Sequence, residues 1–418
     1  MNDCAMNGFT AAFLIALALA YAVESWLVRR QFAHVRKNRH AVPEAFSDRI
    51  SLEAHQKAAD YTLARGRVGE WDRLVGAAIL LLLTLGGGID WVTSIWNGWE
   101  LPPVVTGVGV ILSVLLIMQI LELPIALYQT FSTEQRFGFN RTTPRQYVLD
   151  LGLQLLLTLV IGGPLLALLL WVMESIGPAW WIWAWVIVMG FSVLMSWVFP
   201  TWIAPLFNKF APLEDQVLKT RIEQLLTRSG FHSKGIFVMD GSRRSGHGNA
   251  YFTGIGNNKR IVFFDTLLNA LDHDEVEAVL AHELGHFKLK HVLKMLIASA
   301  GVTFIGFAVL GWLSDQSWFY NGLGVSVPSH AAALLLFLLV APVFTVFLQP
   351  ITAYFLRRHE FQADDFAAGQ TRPSFLISAL VKLYRDNAST LTPDPLYSAF
   401  HYSHPPAAMR IANLATKT

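Results

Sequence analysis

Seven stretches of this sequence are too apolar and too long to lie in water: 8–28, 74–95, 104–127, 148–173, 180–203, 291–313 and 331–356. A hydrocarbon layer about 30 Å thick needs roughly 20 apolar residues as a helix, and each run meets that length. Every backbone amide in lipid must be paired within its own segment, so the expected fold is an α-helical polytopic membrane protein with seven spans. Composition agrees: 53% of residues are hydrophobic, 15% are charged, and mean hydropathy is +0.42. A net charge of +2 carries little information, since the distribution matters more than the sum; the bilayer is the expected partner, and no nucleic acid is expected. The single cysteine, Cys4, excludes an internal disulfide framework and any thiolate metal site.

Charge on the connections sets an orientation. The stretch 29–73 carries ten Lys or Arg, 205–290 carries eleven, 129–146 carries Arg136, Arg141 and Arg145, and Arg357-Arg358 follows the last run. The alternate connections, 97–103, 174–179 and 314–330, carry none. By the positive-inside rule the N-terminus lies outside, and the C-terminus lies in the cytoplasm with the polar stretch 205–290. The first run is a retained span rather than a cleaved signal, because no Lys or Arg precedes it and Arg29, Arg30, Arg36, Lys37 and Arg39 follow. Within the spans, Glu122, Gln119 and Gln154 are costly against lipid; they face either another helix or a water-filled cavity. Gly86-Gly87-Gly88 permits close packing or a bend.

Chemistry enters at Ala281-His282-Glu283-Leu284-Gly285-His286. On a helix, His282 and His286 are four residues apart, so both rings leave one face and can share a metal ion. Glu283 lies about 100° round from His282, too close in sequence to be a third ligand but placed to act as a base for water. With 13 His in 418 residues, an accidental HExxH is expected roughly 0.01 times per chain, before any structural context is required. The context fits a helix over 271–291: Asp272 as N-cap with Glu275 three residues on, then an apolar stripe at Val276, Val279, Leu280 and Leu284. The competing reading is a surface helix with two solvated histidines.

Around the motif the pattern is that of a soluble unit. Residues 214–229 read as an amphipathic helix, and 236–239 and 260–264 as short strands. Residues 249–254 read either as an edge strand, to which an extended peptide can add by backbone hydrogen bonds, or as an ordinary hairpin strand. A third ligand must come from elsewhere. Glu360 and Asp364, just past the last run, share a helical face: Glu360 is placed to ligate and Asp364 to accept the free N–H of a ligand histidine, His282 foremost. The alternative is a solvated charged turn at the membrane edge. Topology favours the site, because the HExxH helix enters the sixth span, and Glu360 leaves the seventh, on the same membrane side. Near the end, Ser403-His404-Pro405-Pro406 opens a final helix carrying Arg410, and His404 either flanks a cap or reaches the site to stabilise an oxyanion.

Together these residues resemble the CAAX prenyl protease 1 family of seven-span zinc metalloproteases. The likeness runs over nearly the whole chain and includes Asn249-Ala250-Tyr251, the HExxH segment, Glu360 to Asp364, His404-Pro405-Pro406 with Arg410, and Thr133-Glu134-Gln135-Arg136-Phe137-Gly138-Phe139-Asn140. The resemblance implies an integral-membrane zinc metalloendopeptidase: seven helices enclosing a chamber, with a small α+β metalloprotease domain at its cytoplasmic end. It implies one zinc ion per chain on His282, His286 and Glu360, Glu283 as catalytic acid/base and Asp364 behind a ligand. It also implies Asn249 and Ala250 on the substrate strand, with His404 and Arg410 near substrate and site. The expected division is a five-span membrane domain at 1–204, the metalloprotease segment at 205–291, spans six and seven at 292–356, and C-terminal helices with the third ligand at 357–418.

The compact length, and a C-terminal tail without a recognisable endoplasmic-reticulum retrieval signal, suit a bacterial inner membrane. Prenylation of this kind is generally absent there, so expected substrates include unprenylated membrane or misfolded proteins alongside prenylated peptides; a monomer is expected. A site-2-type intramembrane protease is disfavoured by the charged residues His273, Asp274, Glu275, Glu277, Lys288 and Lys290 around the motif. The rival from another class is a transporter or channel with a chance or structural metal site.

Overall fold

A computed structural model describes residues 7–231, 233–253 and 260–417. Six helices are long and apolar enough to cross a membrane, at Gly8–Asn38, Pro103–Phe137, Pro144–Ser175, Gly177–Phe207, His291–Leu313 and His330–Gln370. Counted as one, the bent pair Leu52–Leu83 with Gly88–Asn97, kinked by 51°, brings the number among the described residues to seven and stands second in chain order. The break falls on the glycine triplet: Gly87 adopts φ 74°, a left-handed turn that a side chain disfavours. The bend is therefore what those glycines provide.

The spans close a ring, each packing on the next in sequence and the seventh returning to the first. Their burial is uneven. At the end away from the HExxH segment, Phe13, Ile111, Leu170, Leu335 and Leu336 are at most 1% exposed and form one continuous apolar core. The outer half of the last span, His330–Thr345, crosses onto the third and fourth spans and fills that end. Towards the other end Leu116, Ile120, Leu156, Val160, Leu194 and Val302 are all exposed. Glu122 lines a pocket of 340 Å³ between the first three spans with Glu24, Asp72 and Arg73.

At that end lies the soluble unit. Its sheet has four strands, β1 (Phe210–Pro212), β2 (Ile236–Met239), β3 (Ala250–Thr253) and β4 (Arg260–Phe264), in the order β1-β2-β4-β3. β2 and β4 run parallel with Ile236 opposite Ile261, and β3 is antiparallel to β4 with Ala250 opposite Phe263. β3 lies at the edge of the sheet and is also the antiparallel neighbour of β4, so both sequence readings remain; Gly254 lies outside the described residues. The amphipathic helix Gln216–Ser229, capped by Asp215, packs Ile222 and Leu225 into a core with Phe263, Leu280, Leu284 and Leu380.

Two boundaries differ from those expected. The HExxH helix runs His273–Lys288 instead of reaching 291, because Lys290 adopts φ 57° and turns the chain before the sixth span begins at His291. The last helix is Ala407–Ala415, with Pro406 at its N-cap, so both prolines precede the helix.

Candidate metal centre

The HExxH helix opens on a capping box: Asp272 accepts the Glu275 amide, and the Glu275 carboxylate accepts the Asp272 amide. Such a cap contributes about 1 kcal/mol and fixes where the helix starts. The helix packs lengthwise on Gln349–Gln370, the inner part of the seventh span, which carries Glu360 and Asp364. Gly285 makes that approach possible: a Cβ there would lie 2.9 Å from the Cα and 3.1 Å from the carbonyl oxygen of Ala363.

Contact between these two helices brings three expected ligands together. His282 Nε2 and His286 Nε2 are 3.3 Å apart, and the Glu360 carboxylate stands 3.4 Å from the first and 3.3 Å from the second. The carboxylate faces both nitrogens, Oε2 towards His282 and Oε1 towards His286, and one donor atom from each of the three residues lies within 4.8 Å of the other two, close enough to converge on one ion. Glu360 Oε2 is also buried without a hydrogen-bond partner, an orphan acceptor that a cation satisfies. Among the described residues this is the group of three whose donor atoms converge in this way. Two imidazoles and a carboxylate, with no thiolate, fit zinc.

Each imidazole is held from behind. His282 Nδ1 lies 2.8 Å from Asp364 Oδ1, and Arg410 grips the same carboxylate through Nε and Nη2 at 2.8 and 2.6 Å. Asp364 is fully buried and Arg410 is 6% exposed, so the charged-turn reading of Glu360 and Asp364 does not apply. Burial and the Arg410 guanidinium push His282 down, but the Asp364 and Glu360 carboxylates beside its two nitrogens outweigh them and bring it up to about 9. His286 Nδ1 meets His291 Nδ1 at 3.1 Å, and His291 Nε2 lies 2.9 Å from Gln362 Oε1. A carboxamide oxygen only accepts, so His291 carries its proton on Nε2 and takes the Nδ1–H of His286 on Nδ1. That leaves the His286 Nε2 lone pair facing the cluster. His359 stacks on the His291 ring at 4.0 Å. Sequence reasoning missed His291 and Gln362; the cue was a third histidine five residues beyond His286.

The remaining expected residues surround a cleft. Glu283, His404, Asn249, Ala250 and Arg410 all line a cavity of 110 Å³ beside His282. Burial pushes the Glu283 carboxyl up from the ordinary glutamate value. His404 reaches the site, with Nε2 3.4 Å from Glu360 Oε1 and Nδ1 2.9 Å from Ser403 Oγ. It is delivered by Arg357, whose Nη1 donates to the carbonyls of Ser398, Ala399 and Tyr402. Arg410 sits behind the cluster and touches the cavity from below.

The register of β3 decides what its free side offers. The Phe264 amide donates to the Asn249 carbonyl, so residues 249 and 251 bond to β4 while the backbone groups of Ala250 and Phe252 point outward. The Ala250 amide is met only by the side chain of its neighbour, Asn249 Oδ1, at 2.8 Å.

Seven spans closed over an HExxH helix and a distant glutamate define an integral-membrane metalloprotease. A family model described as the CAAX prenyl protease N-terminal region of five membrane helices matches residues 31–209, and that of peptidase family M48 matches 212–418. The chain belongs to the CAAX prenyl protease 1 family. It is 33% identical to the CAAX prenyl protease 1 of Saccharomyces cerevisiae, over 94% of this chain and 92% of that protein. It is 31% identical to the human CAAX prenyl protease 1 homolog, over 97% and 95%. The crystal structure of S. mikatae Ste24p superposes with a TM-score of 0.89 at 32% identity, covering 97% of this chain and 99% of the other. The family makes the protein a multi-pass zinc metalloprotease acting on peptide or protein substrates, and the transporter reading falls away.

Proposed function

We propose that His282, His286 and Glu360 hold a single zinc ion, and that Glu283 takes the proton of the attacking water and passes it to the leaving amine. The observation that carries this is the convergence of the two Nε2 atoms, 3.3 Å apart, with the Glu360 carboxylate, which stands 3.3–3.4 Å from each through its two oxygens. When bound, zinc supplies Lewis acidity, lowering the pKa of water to about 7 and polarising the scissile carbonyl. The raised carboxyl of Glu283 lies closer to neutrality than a free glutamate, which suits a group that must both accept and return a proton. His404, at the open side of the cluster, donates to the oxyanion. Asp364, supported by Arg410, and His291, supported by Gln362, keep the two ligand imidazoles in the orientation that directs each Nε2 inward.

The substrate is proposed to be an extended segment that adds to the free edge of β3, exchanging the Asn249 side chain at the Ala250 amide for its own carbonyl. Leu376, Leu380 and Leu383 in the cleft wall offer an apolar seat for a side chain. The charge pattern of the connections supports a cytoplasmic site and C-terminus with the N-terminus outside. The four-part division at 204, 291 and 356 and a monomer are carried with this reading, as is a bacterial inner membrane, in which unprenylated membrane or misfolded chains join prenylated peptides as substrates. In the test, purified Glu283→Gln retains zinc and loses hydrolysis, and wild type is compared on farnesylated and bare peptides. Full activity in Glu283→Gln ends the assignment.

A further inference from the structure

The stretch Thr133 to Asn140 after the third span has no part in the chemistry described so far, yet it reaches the segment that feeds the substrate edge. The third span unwinds into a π-helical turn at Gln129–Glu134, then a short helix Gln135–Phe137, and Gly138 reverses the chain at φ 82°. Residues 139–142 then form a short ladder with 244–246. The Gly246 amide donates to the Phe139 carbonyl at 3.0 Å, the Arg141 amide to the Arg244 carbonyl at 3.1 Å, and Asn140 bridges to Ser245.

At the end of that ladder His247 is half-buried and gripped from two sides. Its ring stacks on Phe139 at 4.3 Å, and its Nε2 lies 3.4 Å from the Tyr61 hydroxyl, which itself is 2.8 Å from both oxygens of Glu134. On the other side Asn387 Oδ1 accepts the Gly248 amide at 3.1 Å and faces His247 Nδ1 at 3.3 Å. Thr266 Oγ1 donates to the His247 carbonyl at 3.0 Å. Tyr61 and Glu134 belong to the membrane helices, Asn387 to the end of the helix Pro373–Asp386, and Thr266 to the segment after β4. Four separate parts of the chain therefore meet on two residues. The next two are Asn249 and Ala250, which line the cleft with His282 and Glu283.

We propose that Tyr61, Glu134, Phe139 and Asn387 are positioning residues for the substrate: they set the depth and angle at which the free edge of β3 enters the cleft, and so tie peptide binding to the membrane helices. This rests on the reading that β3 receives the substrate backbone. With only Asn249 between the clamped pair and Ala250, a shift at His247 or Gly248 reaches the outward amide with little room to dissipate. The cluster leaves the donor triangle and Glu283 untouched, so its loss is expected in binding rather than in the chemical step.

The test uses the full-length zinc-loaded protein in lipid nanodiscs and a fluorogenic peptide. Asn387→Leu and Tyr61→Phe are expected to raise KM about fivefold to twentyfold with kcat within about twofold, because the lost interactions act before the transition state. Asn387→Asp, which keeps the acceptor for the Gly248 amide, restores KM to near wild type. Zinc content and melting temperature stay level throughout. Ala250→Pro removes the outward amide without touching the β4 ladder and tests the underlying strand reading. Raised KM there with unchanged KM in Asn387→Leu and Tyr61→Phe overturns the clamp alone, whereas unchanged KM in Ala250→Pro overturns the strand reading and the clamp with it. A fall in kcat that tracks melting temperature, without change in KM, assigns the cluster to stability and also overturns the proposal. Should Asn387→Leu not fold, Tyr61→Phe, which keeps the ring packing and deletes one hydroxyl, decides the matter.

Discussion

His282 and His286 leave one helix a single turn apart and point at the same place, yet the two flanks of the site that steady them differ in kind. Behind His282 stands an ionic pair, Asp364 with Arg410, both almost wholly removed from solvent. Behind His286 stands a chain of neutral groups, His291 and then Gln362. The ionic flank binds three parts of the fold together, because Arg410 comes from the C-terminal helix, Asp364 from the seventh span and His282 from the motif helix. The neutral flank is local to the membrane edge. The same task, turning an imidazole, is thus joined to global stability on one side and separated from it on the other.

Arg410→Leu tests that difference hardest. It strands the Asp364 carboxylate in the interior, and removing one member of a buried pair costs about 3–5 kcal/mol. Unfolding in denaturant should show that loss, with zinc released early in the transition. If stability is unchanged, the ionic flank is not what joins these helices. His291→Leu is expected to be milder and different in character: zinc affinity falls about 10- to 100-fold, as for other groups that orient a metal-bound histidine, while the melting temperature of the metal-free protein moves little. Equal losses of stability in the two variants would erase the contrast.

The smallest effect is one of pH. In the metal-free site His282 is raised to about 9, so it is protonated near neutrality and the proton must leave when zinc binds. Apparent zinc affinity should therefore rise about tenfold per pH unit up to roughly pH 9, with one proton released per ion by calorimetry in buffers of different ionisation enthalpy. A folded value above the unfolded 6.5 also means that protonated His282 stabilises the metal-free protein fully below about pH 6.5. That contribution disappears as pH rises through about 9. Asp364→Asn should flatten both slopes and His291→Leu should leave them alone.

Much of this was legible in the sequence because it is written at helical spacing. The i and i+4 relation of His282 to His286, and of Glu360 to Asp364, needs only 3.6 residues per turn, and the Asp272 to Glu275 capping box is equally local. β2 and β4 appear at the residues that their apolar runs marked. What was hidden depends on contacts between distant residues. The turn at Lys290 ends the motif helix early, and that turn brings the His291 ring back onto His286 instead of one turn further along a continuous helix. Gly285 reads as a helix weakener until Ala363 is seen pressing on it. Tyr61, Glu134, His247 and Asn387 lie on four separate stretches, and no period links them.

The packed base of the ring has a consequence for traffic. With Phe13, Ile111, Leu170 and Leu335 filling it, neither a hydrated ion nor a peptide passes through that end without unpacking it. Fragments released at the rim must leave on the side where they were cut, or slip sideways between the staves into lipid.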